Sequence, residues 1–244
     1  MSGIDGEVPS VVGSSEPEQA GVDEFVGSGR TEPTWIDLAL NKPGERARRQ
    51  ALDRRREAPV KTFVARALGV HTAERAWRVG ANGEEAVARR LHKLSGEWMV
   101  LHAVPVGERD SDIDHVVIGP AGVFTLNTKN HSRGKVWVAE RSFLVNGQRT
   151  DYLRNARHEA SRASRLLSAA CASDVAVEPV IVVLAAQLTI KAQPDGVHVV
   201  ARRQIARWFR RRPTRLDPGA AARIFDQARR DIVWRPRTRW ADTS

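Results

Sequence analysis

Asp114, Asn127 and Lys129 are the residues of this sequence whose types and spacing most directly suggest chemistry. They lie in residues 110–134, DSDIDHVVIGPAGVFTLNTKNHSRG, which reads as strand, tight turn, strand. Ile113–Ile118 alternates and is rich in β-branched residues, Gly119–Gly122 is a turn signal, and Val123–Lys129 resumes the extended pattern. Side chains alternate along a strand, so Asp112, Asp114 and Val116 share one face. On the next strand Val123, Thr125, Asn127 and Lys129 share a face, with Phe124 and Leu126 opposite. A hairpin that turns Asp114, Asn127 and Lys129 to the same side gathers a carboxylate, an amide and an ammonium at one sheet edge. Charges on strands packed on both sides must be paired or solvated, so such a group is costly for packing alone. An acid on one strand and a lysine on the next suit magnesium-dependent phosphodiester hydrolysis. There a divalent ion neutralises developing charge and generates hydroxide near neutral pH, held by carboxylates and retained waters in an octahedral shell.

A further acid stands upstream. In residues 80–94, GANGEEAVARRLHKL, an amphipathic helix places Glu84, Val87, Leu91 and Leu94 on one face, while Glu85, Arg89 and His92 look outward. A glutamate on a buried stripe is an informative exception to the usual exposure of acids. Its alternative explanation is a first-turn acid interacting with the helix dipole.

Taken together, Gly80-Ala-Asn-Gly83-Glu84, Ile113-Asp114-His115-Val-Val-Ile-Gly119-Pro120 and Gly122-Val-Phe-Thr-Leu-Asn127-Thr-Lys129-Asn130 resemble the nuclease-related domain (NERD) family, a branch of the PD-(D/E)xK nuclease superfamily. The resemblance covers roughly residues 74–190 and implies a restriction-endonuclease-like α/β fold: an α-β-β-β-α-β core with a central mixed sheet flanked by helices. It implies a catalytic set of Glu84, Asp114, Asn127 and Lys129. Asp114 is then the central metal ligand, Glu84 ligates the metal or positions a metal-bound water, and Lys129 orients the nucleophile or stabilises the transition state. The implied cofactor is magnesium or manganese, weakly bound. One position departs from the family: its second strand reads E-x-K, and here Asn127 holds the glutamate position. An amide can give a metal one carbonyl oxygen but no charge, so metal binding should weaken. Asp112, two residues before Asp114 on the same face, is a candidate for partial compensation, with a solvated loop-end aspartate as its alternative.

The elements that must position these residues follow in chain order. Residues 1–40 form an acidic tail of disordered composition, within which Trp35–Leu40 is a candidate docking segment. Residues 41–72 form a basic helical extension, with helices expected before Pro59 and over Val60–Leu68. Residues 73–236 form the nuclease-like domain, and 237–244 fray. Within the domain the core helix is followed by strands at Trp98–Val104, at the hairpin, at Val136–Val138 and at Phe143–Val145, with Asn146-Gly147 as a hairpin turn. Tyr152–Cys171 is a second helix, packing through Ala156, Ala160, Ala163, Leu167 and Ala170. Val180–Ala186 is a continuous apolar run suited to a strand covered on both faces. A strand at Gly196–Ala201 and arginine-rich helices at Gln204–Arg212 and Pro218–Trp234 complete the domain.

Charge is divided unevenly over the 244 residues. Residues 1–40 hold eight acids and one arginine, a net −7, so the remainder carries +17 of the formal +10 total. A body that basic suits a polyanion, because phosphate contacts release counterions and dominate nucleic-acid affinity. An arginine-rich composition is the plainer source of the same charge. Arg154, His158, Arg162 and Arg165 form a basic stripe on the second helix and, with His131, are the candidate nucleic-acid contacts, a solvated face being the alternative. The resemblance also implies a polar residue sent back to the site from this helix, with Asn155 or Arg154 as the candidate. Arg54-Arg55-Arg56 is a further basic cluster, and Trp208, Trp234 and Trp240 lie among arginines where they could stack bases. His115 points away from Asp114 and suits a core or surface position.

One cysteine, Cys171, excludes an internal disulfide framework and a cysteine-rich metal site. No His/Cys spacing typical of zinc, G-x-S-x-G, Walker-type or GxGxxG motif is present. No run reaches the roughly 20 apolar residues that span a membrane, and no signal peptide is visible, so the expected location is cytoplasmic. Three functional readings remain open: a metal-dependent nuclease of DNA or RNA, a degenerate relative that binds nucleic acid without cutting it, and a protein-interaction scaffold.

Overall fold

The computed structural model describes residues 35–44, 73–107 and 111–235, without the side chains of residues 73–78 and 111. The tail before residue 35, the expected helices after residue 44, Arg54–Arg56, Trp240 and residues 237–244 lie outside the described residues.

The first helix, α1, runs Ala73–Leu91. It is followed by strands β1 (Met99–Val106), β2 (Ser111–Gly119), β3 (Gly122–Ala139), β4 (Ser142–Val145) and β5 (Gln148–Arg149). Helix α2 (Tyr152–Cys171) leads to β6 (Val177–Ile190) and β7 (His198–Ala201). Short helices α3 (Ile205–Arg210), α4 (Pro218–Ala228) and α5 (Asp231–Trp234) close the domain. The α-β-β-β-α-β order read from the sequence is present, with the small β4–β5 hairpin inserted. Asn146 and Gly147 both adopt positive φ at its turn, as an Asn-Gly hairpin turn requires.

The sheet is mixed. β1, β2 and β3 form an antiparallel meander, while β6 lies parallel to β3 and β7 parallel to β6. β3 is the long central strand: β2 and β4 pair with successive stretches of it, and β6 follows it from Val123 to Val138. The separate strand expected at Val136–Val138 is therefore the end of β3. A register shift between His131 and Lys135 absorbs the Ser132-Arg133-Gly134 segment without ending the strand.

The two faces of the sheet are covered differently. On one, α1 (Val87, Leu91) and α3 (Ile205, Phe209) pack on Val117, Phe124, Leu126, Val180 and Val182. On the other, Ala163 and Leu167 of α2 pack with α4 and α5 against β1 and β2, and Leu153 and Ala156 pack on Val136, Ile181 and Val183. Trp234, whose indole N–H donates to Ala228 O at 2.7 Å, is fully buried, so base stacking by this tryptophan is excluded. At β2's end Gly119 lies so close to the Trp98 ring that a Cβ would sit 2.5 Å from it, which explains why a residue without a side chain stands there. Among the described residues no helix is long and apolar enough to cross a membrane.

Residues 35–41 are docked on this body. Leu38 is buried in the core, Asp37 pairs with Arg229, and Asn41 donates to Ala103 O at 3.1 Å.

Candidate active site

The β2–β3 ladder ends at the pair His115–Leu126. Beyond it the Thr128 amide donates to Asp114 Oδ2 at 2.5 Å, so a carboxylate takes the bond that a neighbouring strand would otherwise accept. By strand alternation Asp114, Asn127 and Lys129 face the side covered by α2, as Val116 and Val123 do. Lys129 Nζ lies 4.7 Å from the centre of the Tyr152 ring, a favourable seat for an ammonium. The Lys129 charge also acts on the Asp114 carboxyl.

Glu84 comes from α1. The helix begins at Ala73, so Glu84 stands in its middle, and the alternative of a first-turn acid stabilised by the helix dipole is overturned. Gly83 beside it faces Thr128 and Asn130, where an added Cβ would meet Asn130 Cβ at 3.0 Å; the missing side chain lets α1 approach β3. Glu84 Oε2 accepts the Gly44 amide at 3.1 Å, so the docked N-terminal segment supplies a donor to the site. Gly44 itself has φ +70 and lies against Ala81, a backbone that favours glycine. Glu85, expected to look outward, is half-buried.

The structure brings in a residue that the sequence reading passed over. Glu159, on the flank of α2's packing face, accepts from Asn127 Nδ2 at 3.3 Å. Asn127 Oδ1 is buried and accepts no hydrogen bond among the described residues. The available signal was position: Glu159 follows buried Ala156 by three residues and precedes buried Ala163 by four, which sets it beside the stripe that meets the sheet. Asn155 and Arg154, the residues expected to return to the site, are exposed, and Arg154 pairs with Asp151 at 3.1 Å.

Electrostatically the three carboxyls are one system. Burial, and then the Asp114 charge, push Glu84 up to about 8; the Gly44 amide pulls the other way. Burial and Asp114 likewise push Glu159 up to about 8, against the Asn127 hydrogen bond and Lys129. Asp114 is raised by burial and held back by the Thr128 amide and by Lys129. Among the described residues none of the three forms an ion pair. Half-buried acids, two of them within the field of one lysine, and an amide oxygen with no donor among the described residues, are the donor set that a hard cation needs. No group of three His, Cys, Asp or Glu side chains among the described residues encloses a metal position by itself. Magnesium does not require one, since it keeps several waters and takes one or two carboxylates. The residues present fit the ion.

The remaining candidates are spread out. His131 stacks on Tyr152 at 5.9 Å between ring centres, with its Nε2 3.3 Å from the tyrosine hydroxyl, and so joins the Lys129 rim. Burial and the Lys129 charge lower its pKa. His158 and Arg165 are exposed on α2, and Arg162 lies against Gly107. His115 is fully buried with its Nδ1 2.8 Å from that of His102, a core pair away from Asp114's face. Burial holds His102 down to about 4 and His115 well below its ordinary value.

No curated protein and no solved structure matches the chain. Residues 79–184, the stretch that carries Glu84, Asp114, Asn127, Lys129 and Glu159, match the family model of the nuclease-related domain (NERD).

Proposed function

We propose that the nuclease-related segment is a divalent-metal-dependent phosphodiesterase acting on nucleic acid. The observation that supports it most is the electrostatic coupling of Asp114 to Glu84 on one side and to Lys129 on the other, where the β2–β3 ladder ends, with no ion pair to the carboxyls and no donor to the Asn127 amide oxygen among the described residues. Magnesium or manganese, when bound, neutralises phosphate charge and supplies hydroxide near neutral pH. Asp114 and Glu84 would hold the ion, and Asn127 Oδ1 would offer a neutral third oxygen. The Thr128 amide fixes the Asp114 carboxylate, and Gly44 fixes that of Glu84. Lys129 presents its ammonium to the phosphate oxygens where charge accumulates. His131 and the arginines of α2 are the proposed contacts to the rest of the strand.

A second reading, nucleic-acid binding without cleavage, is favoured by one observation: Asn127 occupies the position where the family has glutamate.

Labelled DNA and RNA incubated with magnesium or manganese separate the two. Cleavage should appear, vanish with chelator, and fall by roughly 10³-fold in Asp114→Asn, which retains an oxygen for the Thr128 amide. Binding that weakens steeply with salt, unaccompanied by cutting, would favour the second reading. Neither binding nor cutting would leave the scaffold reading.

A further inference from the structure

We propose that Glu159 is the site's missing acidic ligand, supplied from α2 in place of the strand glutamate that Asn127 has displaced; this rests on the phosphodiesterase reading above. The geometry carries it. Position 127 stands two residues before Lys129, where an E-x-K strand would present its carboxylate. Here the amide of Asn127 turns its Nδ2 to Glu159 Oε2, at 3.3 Å, and leaves its Oδ1 buried with no donor among the described residues. The pair thus brings to that position what a glutamate alone would bring, an oxygen ligand and one negative charge, divided between a strand residue and a helix residue.

The helix is built to allow this. Ala156, Ala160 and Ala163 form its buried face, and their small side chains bring α2 close enough to the sheet for a glutamate to reach β3. A purely structural acid at that place would be expected to have a cation of its own. Glu159 forms no ion pair among the described residues, and the lysine whose field reaches it also acts on Asp114. An apolar residue would fill the same space at less cost. The arrangement makes physical sense if a cation completes it.

The test measures Mn²⁺ binding by water-proton relaxation at pH 8, without and with a nuclease-resistant oligonucleotide. The proteins are wild type, Glu159→Gln, Asp114→Asn and the exchange variant Asn127→Glu/Glu159→Gln. Glutamine can still accept the Asn127 hydrogen bond, and melting in chelator checks that each variant is folded. Glu159→Gln should weaken Mn²⁺ binding by about 10–100-fold, as loss of a group that ligates or directly supports a metal typically does. The exchange variant should recover most of that loss, because the charge returns to the strand. A structural role for Glu159 would predict no such recovery. Unchanged Mn²⁺ affinity in Glu159→Gln, alongside its loss in Asp114→Asn, would overturn the assignment and leave the phosphodiesterase reading standing. Absence of Mn²⁺ binding by the wild type, with and without oligonucleotide, would overturn both.

Discussion

Replacing Lys129 with methionine is expected to reduce metal-dependent cleavage by roughly 10³-fold, the scale seen when one preorganised group that stabilises developing charge is removed. The same substitution should leave Mn²⁺ affinity unchanged or somewhat higher. The two effects diverge because the ammonium acts on two partners of opposite need. Its charge lowers the proton affinity of Asp114 and Glu159, so it already offsets part of the negative field that attracts a metal. Removing it leaves that field less compensated, and a divalent ion is attracted at least as strongly. Phosphate in the transition state has no such replacement. Methionine retains an unbranched apolar stem, so contact with the Tyr152 ring largely persists. The check is parallel measurement of cleavage and Mn²⁺ binding. A loss of both in proportion would mean that Lys129 holds the carboxylates in place and does not act on the phosphate.

The second large effect concerns stability. Without metal, the protein should lose thermal stability as pH rises from about 6.5 to beyond 8, by a melting-temperature fall of order 5 °C. Glu84 and Glu159 have folded-state values raised to about 8, above the roughly 4.3 of an unfolded glutamate. The folded state therefore binds more protons than the unfolded chain across this interval. The associated stability is fully present below the unfolded value and disappears as pH climbs through the folded one. His102 and His115 act with the opposite sign. Their lowered values mean that stability grows as pH rises towards the unfolded histidine value near 6.5. Above that point their contribution is complete, and the carboxyl effect stands alone. Glu84→Gln and Glu159→Gln should each flatten the decline, while saturating Mn²⁺ should reverse it by binding the deprotonated folded state. A melting temperature independent of pH between 7 and 8.5 in chelator would contradict this account. So would an equal decline in both variants.

The hairpin and its faces were legible in the sequence because period-two alternation is a local signal: Asp114, Asn127 and Lys129 share a side by chain geometry alone. The second helix was equally plain, its alanine face fixing Tyr152–Cys171 at both ends. β3 was cut short because Ser132-Arg133-Gly134 has the composition of a turn. Its continuation depends on β6 and β4, which pair with it from distant parts of the chain. β6 extends beyond its apolar run on both sides for the same reason: the run marks where the strand is covered, not where its hydrogen bonds stop. Glu84 was found through its place on an apolar stripe, but the helix start was too far upstream for its position in the helix to be read. Glu159 was hidden among polar neighbours, Arg157, His158 and Ser161, and only the approach of α2 to β3 gives it meaning. Gly44 was equally silent, because a backbone amide carries no sequence signal.

The most direct test of the account is the anomalous-scattering map of crystals grown with Mn²⁺ and a nuclease-resistant oligonucleotide. The account predicts a metal peak with a carboxylate oxygen of Asp114 in its coordination shell, at roughly 2.0–2.2 Å, and a phosphate on the side of Lys129. A map with no peak beside Asp114, or with phosphate bound elsewhere and the three carboxyls unchanged, would contradict it.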